Sequence, residues 1–144
     1  MDTIQLNHGA AIPQQGLGVF QVTDPAVCRE CVLTALQIGY RLIDTAACYG
    51  NEAAVGAAVQ ESGIVREDLF LTSKVWIQDA GYDKTLRSFD RTLKNLGTDY
   101  LDLYLIHMPT ETTTAAGGPW RSFFVLEESG PSGCVTSCPT GSAI

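Results

Sequence analysis

The sequence predicts an α/β protein built around a parallel sheet, on three observations. Short apolar strand-like runs alternate with segments of helical period. Each helical segment closes on a glycine, at Gly39, Gly63 and Gly97. Strands separated by a single helix must run parallel, joined by right-handed crossovers.

The elements follow in order. "TIQLNHGAAI" reads as two short strands around an Asn7-His8-Gly9 turn. "GLGVF" is a short apolar strand from Gly16 to Phe20. In "TDPAVCRECVLTALQIGY", Thr23 or Asp24 can cap a helix, Pro25 suits its first turn, and Cys28, Cys31, Val32, Ala35 and Leu36 share its apolar face. "YRLIDTA" is a strand that closes on Asp44. "NEAAVGAAVQESG" is the next helix, with Asn51 as cap and Ala54, Val55, Ala58 and Val59 as stripe. "DLFLTSKVW" is a strand ending near Lys74. "YDKTLRSFDRTLKNLG" is a helix with Leu86, Phe89, Leu93 and Leu96 on one face. "DYLDLYLIH" is a strand ending at His107. Two architectures fit this order, a doubly wound sheet and a (β/α)8 barrel. A dinucleotide-type doubly wound sheet calls for G-x-G-x-x-G opening a helix after its first strand. "GLGVFQ" lacks the third glycine, and no helix opens there, which lowers that reading.

Composition narrows the function. The 144 residues are 45% hydrophobic and 17% charged, with net charge −7, as suits a globular core. The acidic balance and the absence of any basic run argue against nucleic acid or an anionic membrane as partner. The start "MDTIQLNHGA" lacks a signal-peptide pattern, and no apolar run is long enough to cross a bilayer, so the expected location is cytoplasmic. Of five cysteines, Cys28 and Cys31 are spaced as C-x-x-C, and Cys134 and Cys138 as C-x-x-x-C. The first pair sits within a helical pattern, so free thiols are expected rather than a metal site.

Asp44, Lys74 and His107 each stand at the C-terminal end of a strand, with Tyr49 in the loop after Asp44. In parallel α/β folds these ends share one face, where active sites form. A phenol with an ordinary pKa of about 10 exchanges protons poorly at neutral pH. A nearby ammonium favours its phenolate, a carboxylate holds that ammonium in place, and an imidazole can donate to a carbonyl oxygen. Singly, each residue has a structural explanation: a turn cap, a snorkelling lysine, a packing tyrosine. Together they form a device for protonating an alkoxide as hydride arrives.

"GYRLIDTAACYGNEAAVG", "LTSKVW" and "DLYLIHMP" closely resemble the aldo-keto reductases, especially the compact bacterial diketogluconate or general aldehyde reductases. The resemblance covers residues 3–109 and implies the first half of a (β/α)8 barrel whose bottom is closed by an N-terminal hairpin. It implies NADPH-dependent reduction of small carbonyl compounds, with Tyr49 as general acid, Asp44 and Lys74 tuning it, and His107 orienting the carbonyl. Phe20, Trp76 and Met108 would line the substrate pocket, and Gly18, Val19 and Asp44 would lie near the nicotinamide. Met108 stands where the family usually carries tryptophan.

After Pro109 the pattern stops: residues 110–144 read as an irregular tail, rich in threonine, glycine and serine. The family's barrel needs eight βα units, whereas four strands and three helices are legible here. Most of the cofactor site, including the groups that hold the 2′-phosphate, belongs to the other half. A shift of reading frame accounts for the tail. Residues 110–137 can be written in permitted codons which, with one T restored ahead of Thr110, translate as "YGDYYGSWRAMEELFRAGRVRAIGVCNF", an amphipathic helix followed by a strand. The expectation is therefore an inactive chain of half-barrel ancestry, prone to self-association through two open sheet edges. The alternatives are a non-catalytic fragment and a binding or structural module.

Overall fold

A computed structural model describes residues 2–6, 9–108, 124–127 and 134–137. An antiparallel hairpin pairs β1 (Thr3–Gln5) with β2 (Ala11–Pro13), Ile4 opposite Ile12. Its turn residues Asn7 and His8 lie outside the described residues. Next come β3 (Gly16–Gly18), α1 (Pro25–Gln37), β4 (Leu42–Asp44), α2 (Glu52–Ser62), β5 (Phe70–Val75), α3 (Tyr82–Leu96) and β6 (Leu103–Ile106).

The four strands β3 to β6 form one parallel sheet in chain order, each beside the next. A doubly wound sheet reverses its strand order at a switch point, whereas a barrel adds strands sequentially. The molecule is thus a partial (β/α) barrel, which settles the choice between the two architectures. Within 110–144, read above as irregular, two short strands pair antiparallel: β7 (Phe124–Glu127) and β8 (Cys134–Ser137). Phe124, Val125, Val135 and Thr136 are residue types that favour extended backbone. The rest of that segment lies outside the described residues.

Helix punctuation follows the sequence in most places. Asp24 caps α1, its Oδ1 accepting from the amides of Ala26 and Val27, with Pro25 in the first turn. Gly63 and Gly97 end α2 and α3 in the left-handed conformation, at φ 66° each. Two expectations are corrected. Cys31 is exposed although Cys28 is fully buried, because three residues turn the helix about 300°, enough to carry Cys31 past the buried stripe. Asn51 precedes α2, but its side chain does not cap; it is drawn instead into the loops beside the site.

The sheet has two faces. Ile43 and Leu71 stand side by side, as do Val75 and Ile106, and pack against Val32, Leu36, Val55 and Ala58 of the helices. The opposite face carries Leu42, Asp44, Phe70, Thr72, Lys74, Leu103 and Leu105. That face is less open to water than a half-barrel leads one to expect. Phe70, opposite Leu42, is 7% exposed, and Thr72, opposite Leu103, is 4% exposed.

A polar staple ties the layers together. Glu52, 3% exposed, accepts from Ser73 Oγ (2.8 Å), Thr92 Oγ1 (2.9 Å) and Asn95 Nδ2 (3.0 Å), joining α2, β5 and α3. Ser88, Thr92 and Leu96 are buried, and Leu86, Phe89 and Leu93 are half-buried, Phe89 and Leu93 packing against the core. Gly56 lets the two helices touch: a Cβ there would lie 2.5 Å from the Leu96 carbonyl oxygen.

Candidate active site

Parallel strands place their C-terminal ends along one rim. Asp44 ends β4, Lys74 is the penultimate residue of β5, and His107 directly follows β6. Tyr49 ends a single 3-10 turn, Ala47–Tyr49, and Gly50 at φ 70° turns the chain away after it. Four residues spread over more than sixty positions thereby converge.

The Lys74 ammonium has three N–H groups, and all are engaged. Two meet Asp44 Oδ1 and Oδ2 at 2.5 Å, and one meets the Thr45 carbonyl oxygen at 3.0 Å. This ion pair is partly buried, with the lysine side chain 16% exposed. Lys74 therefore reaches Tyr49 through space: Nζ lies 5.4 Å from the centre of its ring.

Aromatic contacts set the other groups. The Tyr49 ring meets His107 edge-on at 5.4 Å and Phe20 at 5.0 Å, and His107 meets Trp76 edge-on at 5.2 Å. Desolvation first, and then the Lys74 charge, push the His107 imidazole below its ordinary range, with Asp44 opposing. His107 is consequently neutral at pH 7, so one ring nitrogen donates and the other accepts. Its Nδ1 lies 3.4 Å from Cys48 Sγ.

The remaining candidates fall around this cluster. Phe20, 63% exposed, lies against Tyr49, Trp76 lies against His107, and Met108, the next residue, is 50% exposed. Gly18 pairs with Asp44 across β3 and β4, and a Cβ on Gly18 would meet nothing within 4 Å. Val19 is fully buried in the core, its N–H given to the Asp44 carbonyl oxygen and its carbonyl accepting from Asn51.

Sequence reasoning missed the clamp beneath the site. The Asn51 amide, 2% exposed, donates to the carbonyls of Val19 (2.9 Å) and Val22 (3.1 Å) and accepts from Thr45 Oγ1 (2.8 Å). It fixes the loop bearing Tyr49 to the end of β3. An asparagine after a glycine and before a helical run looks like a cap, and nothing local reveals partners some thirty residues away.

Comparison with known proteins places the chain in a family. The aldo/keto reductase family pattern matches residues 13–137. Over 108 residues the chain is 53% identical to the glyoxal reductase of Bacillus subtilis, covering 75% of this chain and 39% of that enzyme. A crystal structure of an aldo/keto reductase from Brucella melitensis superposes with TM-score 0.74 at 53% identity, covering 78% of this chain and 44% of that one. A Bombyx mori aldo-keto reductase in complex with NADP superposes with TM-score 0.72 at 40% identity, covering 75% and 38%. The chain spans less than half the length of the relatives it matches. It belongs to the aldo/keto reductase family.

Proposed function

We propose that this chain carries the proton-transfer centre of an NADPH-dependent reductase of aldehydes and ketones. The observation that carries this reading is the Asp44–Lys74 pair lying beneath the Tyr49 ring with His107 against its edge. A bound nicotinamide would supply hydride to the carbonyl carbon. Tyr49 gives its phenolic proton to the carbonyl oxygen, completing the alcohol, and recovers a proton from solvent. Lys74, held by Asp44, compensates the charge left on the phenol oxygen. Neutral His107 donates a hydrogen bond that orients the carbonyl. Phe20, Trp76 and Met108 form the apolar side of the pocket, and Gly18 and Asp44 face the nicotinamide, with Val19 in the layer behind. The free thiols of Cys28, Cys31 and Cys48 fit a reducing, cytoplasmic setting.

Residues 1–109 are, on this reading, the N-terminal half of the barrel, and residues 110–144 are translated out of frame. The 144 residues alone then lack most of the cofactor site, do not turn over, and self-associate through the edges of the sheet. The alternative frame, which yields a helix and strand of the expected type, supports this. The test is NADPH oxidation with a simple aldehyde, run on the 144-residue chain and on a frame-restored version. Activity in the restored form alone is expected. Activity in neither removes the catalytic reading, and a gene whose codons past Pro109 exclude the alternative frame removes the frame shift.

A further inference from the structure

We infer that Cys48 is a positioning residue: its thiol donates to Nδ1 of His107 and thereby holds the imidazole in the tautomer that carries its proton on Nε2. The inference deepens the reading just given, because only that tautomer presents an Nε2–H to a carbonyl oxygen.

The argument begins with the contact of 3.4 Å between Cys48 Sγ and His107 Nδ1. Two arrangements are open to it. Either the thiol donates to the ring nitrogen, or the ring N–H donates to sulfur. Sulfur accepts poorly, whereas an unprotonated imidazole nitrogen accepts well, so the first arrangement is the stronger bond. It requires a protonated thiol and a neutral ring, and both conditions hold. Desolvation pushes the Cys48 thiol up, outweighing its own backbone hydrogen bond and the Lys74 charge, which both lower it. Desolvation and Lys74 hold His107 down.

The surroundings leave this task to Cys48. The His107 ring is otherwise held by the edges and faces of Tyr49 and Trp76, which fix its plane but cannot distinguish its two nitrogens. Among the described residues, Cys48 makes the one side-chain hydrogen bond to the ring. Its place beside Tyr49 in the Ala47–Tyr49 turn means that one loop sets both the phenol and the imidazole.

The experiment reads the tautomer directly and needs no turnover. The whole chain, labelled with 15N-histidine, is studied by two-bond 1H–15N correlation above pH 7, with a His8→Gln variant assigning the only other histidine. The wild type should show a pyridine-type Nδ1 and a pyrrole-type Nε2 for His107. Cys48→Ser, which keeps a donor, should leave that pattern in place. Cys48→Ala should move the Nδ1 resonance toward the pyrrole type as the other tautomer gains population. A protonated Nδ1 in the wild type, or an unchanged spectrum in Cys48→Ala, overturns the inference. Should the alanine variant fail to fold, Cys48→Val, which also removes the donor, takes its place with the same expected shift. A correct tautomer in a restored chain that oxidises no NADPH would leave the Cys48–His107 coupling standing and remove only the catalytic reading.

Discussion

Replacing Glu52 with alanine takes away the acceptor of three hydrogen bonds at once. Ser73 and Thr92 are both 0% exposed, so their hydroxyls cannot turn to water. Each stranded hydroxyl costs about 1–3 kcal/mol. Asn95 is exposed and rehydrates at little cost. The sum, about 2–6 kcal/mol, is offset by relieving a buried carboxylate that has no ion pair among the described residues. A net loss of about 3 kcal/mol follows. Glu52→Gln keeps Oε1 as acceptor for both hydroxyls and disturbs only the exposed Asn95 contact, so its loss is about 1 kcal/mol or less. Urea denaturation followed by circular dichroism measures both. With a slope of about 1–3 kcal/mol per molar urea, the alanine variant moves the midpoint down by about 1 M or more. An alanine variant within about 0.5 kcal/mol of wild type, or a glutamine variant as damaged as alanine, would refute the staple.

Two further outcomes follow from the packing and charge of the same layers. Gly56→Ala drives a methyl into the last turn of α3, where backbone cannot yield cheaply, and lowers stability by about 1–3 kcal/mol in the same titration. A variant as stable as wild type would show that the two helices part freely. For His107 the folded-state pKa is lowered, so between that value and the unfolded value of about 6.5 the unfolded chain binds more protons. Stability is therefore lost as pH falls through that window and is retained above it. Melting curves at pH 7.5 and 5.5 should show His107→Gln losing less on acidification than wild type; equal losses would contradict the assignment.

The parallel sheet was legible because its signals are local. Asp24-Pro25 opens α1, Gly63 and Gly97 close α2 and α3, and a run such as "LFLTSKV" can only be a buried strand. The rim was legible for the same reason, since a residue at a strand end needs only the strand to be found. The polar interior was not. Glu52 meets Thr92 forty positions away, and the buried hydroxyls of Ser88 and Thr92 face inward beside Phe89 and Leu93. A hydrophobic period weighs only apolar residues and so does not register hydroxyls buried beside them. Asn51 failed likewise: a residue suited to capping found stronger partners in two loop carbonyls. That Lys74 also meets the Thr45 carbonyl, besides Asp44, is visible only in three dimensions.

The most direct test of the central claim is Tyr49→Phe in the frame-restored chain, assayed by NADPH oxidation with a simple aldehyde. Removing one hydroxyl leaves the ring contacts with Phe20 and His107 in place and withdraws only the proton. Loss of a general acid should lower kcat by about 10²–10⁴-fold while NADPH still binds, as fluorescence titration would report. Turnover at the wild-type rate would mean that the proton comes from elsewhere and that this cluster is not the catalytic centre.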